Sequence, residues 1–455
     1  MSSPLSNRLE DPDGFDDALA LANDAAVTSW PEPTPEPTPG PTAGPTRGPA
    51  TGPNRDPGSR DRATACDWAT ARALARRAGR PLDSVELPLA EAVRHALAEP
   101  LAALTDLPGF DSSAMDGWAV AGPGPWVLES GRGLLAGGGA VPPLGDGRAL
   151  AIATGARVPP GATAVLRSEH GRVVDGRLSA GRAPANGTDI RPRGQECRSG
   201  DLLLPAGTAV TPAVLGLAAA AGYDTLRVTR RPRVEVLVLG AELLGAGVPG
   251  GGLIRDALGP LLTPWLAAVG ADVVAVRRLG DDGGRLAEAV AGSDADVLLT
   301  TGGTAAGPVD HVRPLLAERG ARLLVDGVAV RPGHPMLLAE LPADTPGPRH
   351  LVGLPGNPLA AVSGLLLLAE PLLRGYADLD PDAPPHSARV TEAVTGHPRD
   401  TRLVPVAFTP KGAAPLRYHG PAMLRGVAAA DALAVIPPGG APSGSHVVLL
   451  RMPSP

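Results

Sequence analysis

The sequence predicts a multidomain fold, α/β plus β. An α/β domain with a parallel sheet is joined to a small β insert, a helical and mixed domain, and a C-terminal β domain. Three observations carry this. At 455 residues the chain exceeds what one hydrophobic core holds, so three or four domains are expected. Over residues 232–381, apolar strands alternate regularly with helical stretches, the pattern of a parallel sheet covered on both faces. Elsewhere, short β-type runs are punctuated by Gly/Pro turns.

Residues 1–61 are Pro-rich, with Trp30-Pro-Glu-Pro-Thr-Pro-Glu-Pro-Thr-Pro39 at the centre. Such composition favours extended conformers and buries little, so a disordered tail is expected, with a proline-rich docking ligand as the alternative. Residues 62–104 and 187–231 form the helical and mixed domain. Helices are expected at Trp68–Arg77 and within Val85–Ala98, the second with Leu89, Ala92, Val93, Ala96 and Leu97 along one stripe. Asp201–Gly207 reads as a turn, and Thr211-Pro212 as an N-cap with proline in the first turn of a helix that stops at Gly222. Between them, residues 105–186 read as the β insert, with strands Trp126–Leu128, Ala149–Ala153, Ala164–Leu166 and Arg172–Val174. In the α/β domain, strands are expected at Arg233–Gly240, Asp272–Leu279, Asp296–Thr300, Leu323–Val330 and His350–Gly353. The helices are Leu258–Val269, Gly284–Ala291, Val309–Arg319 and Leu359–Arg374. Residues 382–455 close the chain with strands Arg402–Phe408, Ala434–Ile436 and Val447–Arg451.

With 43% hydrophobic residues the chain can bury sizeable cores. A net charge of −6 without a basic stripe argues against nucleic acid as a partner. Cys66 and Cys197 are the only cysteines, too few for a disulfide framework or a cysteine-rich metal site. No run of ~20 apolar residues reads as a membrane span, and no secretory signal is evident, so a cytoplasmic location is expected. Lys411 is the only lysine; cationic positions fall almost entirely to arginine, as in a GC-rich coding sequence.

Five motifs carry chemistry. Leu107-Pro-Gly-Phe-Asp-Ser-Ser-Ala-Met-Asp-Gly-Trp-Ala-Val120 sets two acids, Asp111 and Asp116, around two hydroxyls, Ser112 and Ser113, in a Gly/Pro-punctuated loop suited to a polar ligand or a metal. Thr301-Gly-Gly-Thr-Ala-Ala-Gly-Pro-Val-Asp310 follows a strand and precedes a helix. Gly302 and Gly303 allow an oxyanion close to the backbone, and Asp310 is a candidate to ligate Mg²⁺ or to hydrogen-bond a polar ligand; a tight strand–helix turn explains the loop equally well. In Val352-Gly-Leu-Pro-Gly-Asn-Pro358, Asn357 is expected to cap the next helix, and Pro355-Gly356 marks a ligand-facing loop. Arg331-Pro-Gly-His-Pro335 offers two cationic side chains, Arg331 and His334, to an oxyanion. Thr154-Gly-Ala-Arg-Val-Pro-Pro-Gly-Ala162 ends a strand with a hydroxyl at Thr154. Glu242 and Asp256 follow Gly-rich turns; either suits Mg²⁺ or simple solvation.

The Leu107–Val120 segment resembles the signature loop of the molybdopterin molybdenumtransferase family, and the other motifs follow in that family's order over about residues 65–452. The resemblance implies an elongated homodimer with four domains, the α/β one like molybdopterin adenylyltransferase and the last β-barrel-like. It implies adenylylated molybdopterin and molybdate as substrates, Mg²⁺ or a similar divalent ion, and molybdenum cofactor and AMP as products. Molybdopterin adenylyltransferase is an implied partner. Substrate is implied to lie between the α/β domain of one subunit and the small domains of the other. Carried over residue by residue, the catalytic set is Asp111, Asp116, Glu242, Arg331 and His334, and the metal ligands are Asp256 and Asp310. The pterin contacts are Ser112, Ser113, Thr154, Glu196 (where the family has aspartate), Gly302, Gly303, Pro355, Gly356 and Asn357.

The chain departs from the pattern at several positions. The family's Thr-Gly-Asp-Glu-Leu is Leu239-Gly-Ala-Glu-Leu243, its Asp-Ser-Asn is Asp256-Ala-Leu258, and its Gly-Gly-Val-Ser is Gly302-Gly-Thr-Ala305. Its Lys-Pro-Gly-Lys-Pro is Arg331-Pro-Gly-His-Pro335, and Ala360 replaces a serine. Serines expected near Met423 are absent. An active molybdenumtransferase is therefore one reading, and a non-catalytic paralogue that binds molybdopterin or a protein partner is the other. An adenylyltransferase-like activity is a third, on the Thr300–Thr304 loop alone.

Overall fold

The computed structural model describes residues 65–130, 133–139, 141–305, 310–342, 349–379 and 386–453. The proline-rich tail expected over 1–61 lies outside the described residues, as do 306–309 of the glycine loop and 380–385 at the expected start of the C-terminal domain.

Helix α1 (Trp68–Ala78) begins where Asp67 accepts hydrogen bonds from the amides of Ala69 and Thr70, both at 2.9 Å. It buries Ala71 and Ala75 and ends in Arg76 and Arg77, charges suited to a helix C-terminus. The helix expected within Val85–Ala98 does not form. Strand β1 (Ser84–Pro88), a 3₁₀ turn (Leu89–Glu91) and a short strand (Ala96–Leu97) take its place. Ala92, Ala96 and Leu97 are buried all the same. Pro88 lacks the N–H a helix needs, Arg94 adopts φ 68°, and pairing with a distant strand overrides local propensity.

The insert sheet contains β2 (Gly117–Val120), β3 (Trp126–Leu128), β4 (Arg148–Ile152), β5 (Ala164–Arg167), β6 (Gly171–Val174) and β7 (Arg177–Ala180), in the order β5-β2-β4-β3-β7-β6. Asp175-Gly176 joins β6 to β7 with both φ values positive, 49° and 73°, the geometry that matches strand twist. Buried Trp126 donates its indole N–H to the Gly122 carbonyl at 2.9 Å. The expected turn at Asp201–Gly207 opens instead with a strand, Leu202–Leu204, paired with Leu101–Ala102. Helix α2 (Pro212–Ala220) starts as read, with Thr211 Oγ1 accepting from the Val214 amide at 3.3 Å. β8 (Thr225–Thr229) then pairs antiparallel with β1, residue for residue from Ser84↔Thr229 to Pro88↔Thr225.

The α/β domain runs β9 (Arg233–Leu239), α3 (Leu258–Ala268), β10 (Asp272–Leu279), α4 (Gly283–Gly292), β11 (Val297–Thr301), α5 (Val312–Glu318), β12 (Arg322–Asp326), β13 (Leu337–Leu341), β14 (Arg349–Leu354) and α6 (Pro358–Tyr376). Its sheet order is β10-β9-β11-β14-β13-β12. β10, β9, β11 and β14 are parallel, as expected, but β13 and β12 add antiparallel pairs, so the sheet is mixed. The expected strand Leu323–Val330 ends at Asp326, and Val330–Arg331 pairs instead with the C-terminal domain. Side chains alternate across β9. Val234, Val236 and Val238 face α3 and α6, while Leu237 faces α4 and α5. Burial on both faces explains the unbroken apolar run.

α6 is long and apolar enough to cross a bilayer, but nearly all of it is buried in this core. Pro371 cannot donate back into the helix, and over Leu365–Ala369 the ladder slips to π spacing. The Arg72 guanidinium of α1 donates to the Leu366 carbonyl there. Near its end α6 meets α1 backbone to backbone, at Gly375 and Gly79.

At the end of α6, the Tyr376 hydroxyl and buried His350 Nδ1 lie 2.6 Å apart. Burial lowers the imidazole from 6.5 to about 4, so the neutral ring accepts the tyrosine proton. The unfolded chain binds this proton first as pH falls, so the stability is whole above 6.5 and lost toward 4. Between pH 7 and pH 5 the loss is expected to be about 2 kcal/mol. His350→Gln, followed by urea midpoints at both pH values, is expected to flatten that slope; an unchanged slope would place the acid sensitivity elsewhere.

The C-terminal sheet contains β15 (Thr401–Thr409), β16 (Ala432–Ile436) and β17 (His446–Arg451), flanked by Val330–Arg331 and Ser387–Arg389. One face closes its own core around Val404, Ala434 and Leu449. The other sends Leu403, Leu433 and Leu450 into the α/β core, which fixes this sheet against the strand ends described next.

Candidate functional site: two adjoining cavities

β9, β11 and β14 end side by side at Leu239, Thr301 and Leu354. Parallel sheets bind ligands at this end, and a cavity of about 650 Å³ opens there. It collects Glu242, Asp256, Gly302, Gly303, Asp310, Gly356 and Asn357 from the three loops that follow those strands. Gly302 and Gly303 have φ 83° and 66°, and a Cβ on Gly303 would press on Leu239 and Val312 at 3.1 and 3.2 Å. The Gly302 amide is spent on the Leu354 carbonyl at 2.8 Å, so close approach is the loop's main offer.

Asn357 sits at the N-cap position of α6 with Pro358 next, but its side chain makes no capping hydrogen bond. The capping role expected of that side chain is corrected on this point. The amide instead borders both this cavity and a second one of about 400 Å³.

The second cavity joins Arg331, His334 and Pro355 to Arg402 and His419 of the C-terminal domain. Arg331 Nε donates to Asp400 Oδ2 at 2.8 Å. Burial opposes the Asp400 charge, yet the Arg331 hydrogen bond and charge, with His397 nearby, hold its carboxyl below the ordinary range. His334 Nδ1 lies 2.9 Å from the Val328 carbonyl, which fixes the ring. Arg402 Nη2 and His419 Nδ1 are 3.3 Å apart. Two arginines, Arg331 and Arg402, against one aspartate leave this cavity with a net positive charge.

The remaining expected residues form a third group that lines neither cavity. Asp116 Oδ1 accepts from the Thr154 amide at 2.7 Å and its hydroxyl at 3.1 Å. Asp111 Oδ1 accepts from the Arg193 amide at 2.7 Å, tying it to the loop that carries exposed Glu196. Ser112 and Ser113 are buried in a short strand paired with Ile190–Arg191, and Ser113 donates to the Met115 carbonyl at 2.6 Å. Asp111, Asp116 and Thr154 are exposed.

No local motif in the sequence marks Arg402 and His419. Asp281 and Asp282 also line the larger cavity, at the end of β10, and were not expected there. The strand-end rule finds these last two; Asp282 caps α4 through the Gly284 and Arg285 amides.

A divalent ion was expected on Asp256 and Asp310. Both line the larger cavity, but the Asp256 carboxylate is almost wholly buried and both oxygens are engaged, by the Gly259 amide at 2.8 Å and by Arg278 at 2.8 and 3.1 Å. Among the described residues, no group of three or more His, Cys, Asp or Glu is arranged to hold a metal. A divalent ion at Asp256 does not fit this structure.

Residues 66–222 match the MoeA N-terminal region (domain I and II), 235–375 a probable molybdopterin binding domain, and 387–449 the MoeA C-terminal region (domain IV). Molybdopterin molybdenumtransferase 2 of Mycobacterium tuberculosis is 36% identical over 385 residues, covering 79% of this chain and 92% of that protein. The chain belongs to the molybdopterin molybdenumtransferase family. Another such relative, the molybdopterin molybdenumtransferase of Nostoc, is 30% identical over 377 residues, covering 78% of this chain and 86% of that one. The molybdopterin biosynthesis MoeA protein of Pyrococcus horikoshii shares the fold, with a TM-score of 0.70 at 21% identity over 85% of this chain and 99% of that one. The multidomain architecture is thus that of the molybdenumtransferase family.

Proposed function

We propose that this chain acts in molybdenum cofactor biosynthesis as a transferase, inserting molybdate into adenylylated molybdopterin with release of AMP. The observation that carries the reading is a pair of adjoining cavities of opposite character that share Asn357. The larger, adenylyltransferase-like cavity takes the adenylylated pterin. Its glycines admit a flat ring or a phosphate, and Glu242 and Asp310 accept hydrogen bonds from pterin N–H groups. The smaller takes molybdate between Arg331 and Arg402, where fixed cations stabilise an oxyanion at no cost in reorganisation. An oxo group displaced by the two dithiolene sulfurs leaves as water with the two protons that the thiols lose, and His334 and His419 line the cavity where those protons are relayed. The family's lysines are absent here, and these arginines and histidines stand in for them.

The group of Asp111, Asp116, Thr154 and Glu196 enters the reaction through a cytoplasmic homodimer, in which the small domains of one subunit cover the cavities of the other. Ser112 holds that loop in place, and molybdopterin adenylyltransferase is the proposed donor of the adenylylated substrate. The enzymatic reading is tested by molybdate-dependent AMP release from adenylylated molybdopterin, and by rescue of a strain lacking its molybdenumtransferase. A folded protein that binds the adenylylated pterin but shows neither would sink it.

His334→Lys is expected to tighten molybdate binding roughly three- to tenfold, the worth of about 1 kcal/mol from a permanent charge. Calorimetric titration checks this; an unchanged affinity would remove His334 from the oxyanion site.

A further inference from the structure

The pairing of Asp256 with Arg278 bears on how the larger cavity manages charge. Asp256 precedes α3, and its side chain is 1% exposed. Oδ1 accepts from the Gly259 amide at 2.8 Å, in the first turn of that helix. Oδ2 receives two N–H groups of Arg278, Nη2 at 2.8 Å and Nε at 3.1 Å. Arg278 stands near the end of edge strand β10, in register with Val238 of β9. The pair therefore ties the sheet edge to the start of α3 beside the cavity floor.

Two further observations show a site built for a guanidinium. A Cβ on Gly259 would lie 2.4 Å from Asp256 Oδ2 and 3.2 Å from Arg278 Nη2, so glycine makes the room for the pair. The residues after the acid are Ala257 and Leu258, neither able to ligate a cation or hydrogen-bond its waters through a side chain. Mg²⁺ keeps several waters and needs such neighbours. A guanidinium needs only the carboxylate.

We propose that Arg278 is a built-in counter-cation for Asp256. It stands where the family resemblance would place a divalent ion, and acts as a positioning residue: it fixes Asp256, which fixes the first turn of α3. Divalent-ion binding by this protein is then independent of Asp256. The inference deepens the reading of the larger cavity as the substrate site, but its test needs no turnover, so the two fail separately.

The probe is Mn²⁺ alone, titrated into the full-length protein and followed by calorimetry and by the spin-resonance signal of free Mn²⁺. Asp256→Asn keeps the contact to Gly259 and is expected to change Mn²⁺ affinity less than twofold. Arg278→Leu leaves an uncompensated buried carboxylate without neighbours for a hydrated cation, and is expected to melt earlier than the wild type with Mn²⁺ affinity again changed less than twofold. The double variant, which removes both charges, is expected to melt like the wild type. A tenfold loss of Mn²⁺ affinity in Asp256→Asn overturns the proposal. So does an Arg278→Leu that melts like the wild type, or a double variant that melts no later than Arg278→Leu.

Discussion

Replacing Arg331 and Arg402 together by alanine is expected to lower molybdate-dependent AMP release by about 10²–10⁴-fold, with binding of the adenylylated pterin little changed. Each arginine offers charge-assisted hydrogen bonds to an oxyanion, worth about 1.5–3 kcal/mol apiece, and two such losses give that range. Removing Arg331 does further harm. Asp400 loses the partner at 2.8 Å that stabilises its charge and is left near the cavity with that charge weakly compensated by His397. Arg331→Ala combined with Asp400→Asn is therefore expected to recover part of the loss. Rates measured against molybdate concentration separate the effects. If the double alanine variant keeps wild-type molybdate dependence, the oxyanion does not sit between these residues.

The second large effect concerns stability. Gly375→Ala is expected to cost about 3 kcal/mol, read as a drop in the urea midpoint. Alanine is normally the better helix residue by about 1 kcal/mol, so the sign here is set by packing alone. A Cβ on Gly375 would lie 2.5 Å from the Arg76 carbonyl oxygen and 2.6 Å from that of Gly79, backbone atoms that cannot swing aside. Gly216 in α2 is the control. Nothing lies within 4 Å of its Cβ position, so Gly216→Ala is expected to stabilise by up to about 1 kcal/mol. A neutral Gly375→Ala would mean that α1 and α6 part without cost.

These cases also show what the sequence could convey. Thr211-Pro212 announced a helix start because capping is local chemistry, and the apolar runs of β9 and β11 announced central strands because both their faces are buried. Leu89–Leu97 carried helical spacing yet folded as strand and turn, because a partner more than a hundred residues away decides its pairing. Leu337–Leu341 passed unread for the same reason: its identity as a strand rests on β14 and β12. In the site, the glycine and acid loops were legible as strand-end motifs. Arg402, His419 and Arg278 were not, since each acquires its meaning from a residue distant in sequence.

Asn357 borders both cavities, and this makes their occupancy one thermodynamic question. If filling one chamber turns that amide, the affinity of the other changes with it. By linkage the factor is the same in both directions. AMP and molybdate, titrated each in the presence and absence of the other, are expected to show equal coupling, and Asn357→Ala to reduce it in both titrations alike. Substrate order would then be a matter of rates, with the equilibrium indifferent to which ligand arrives first.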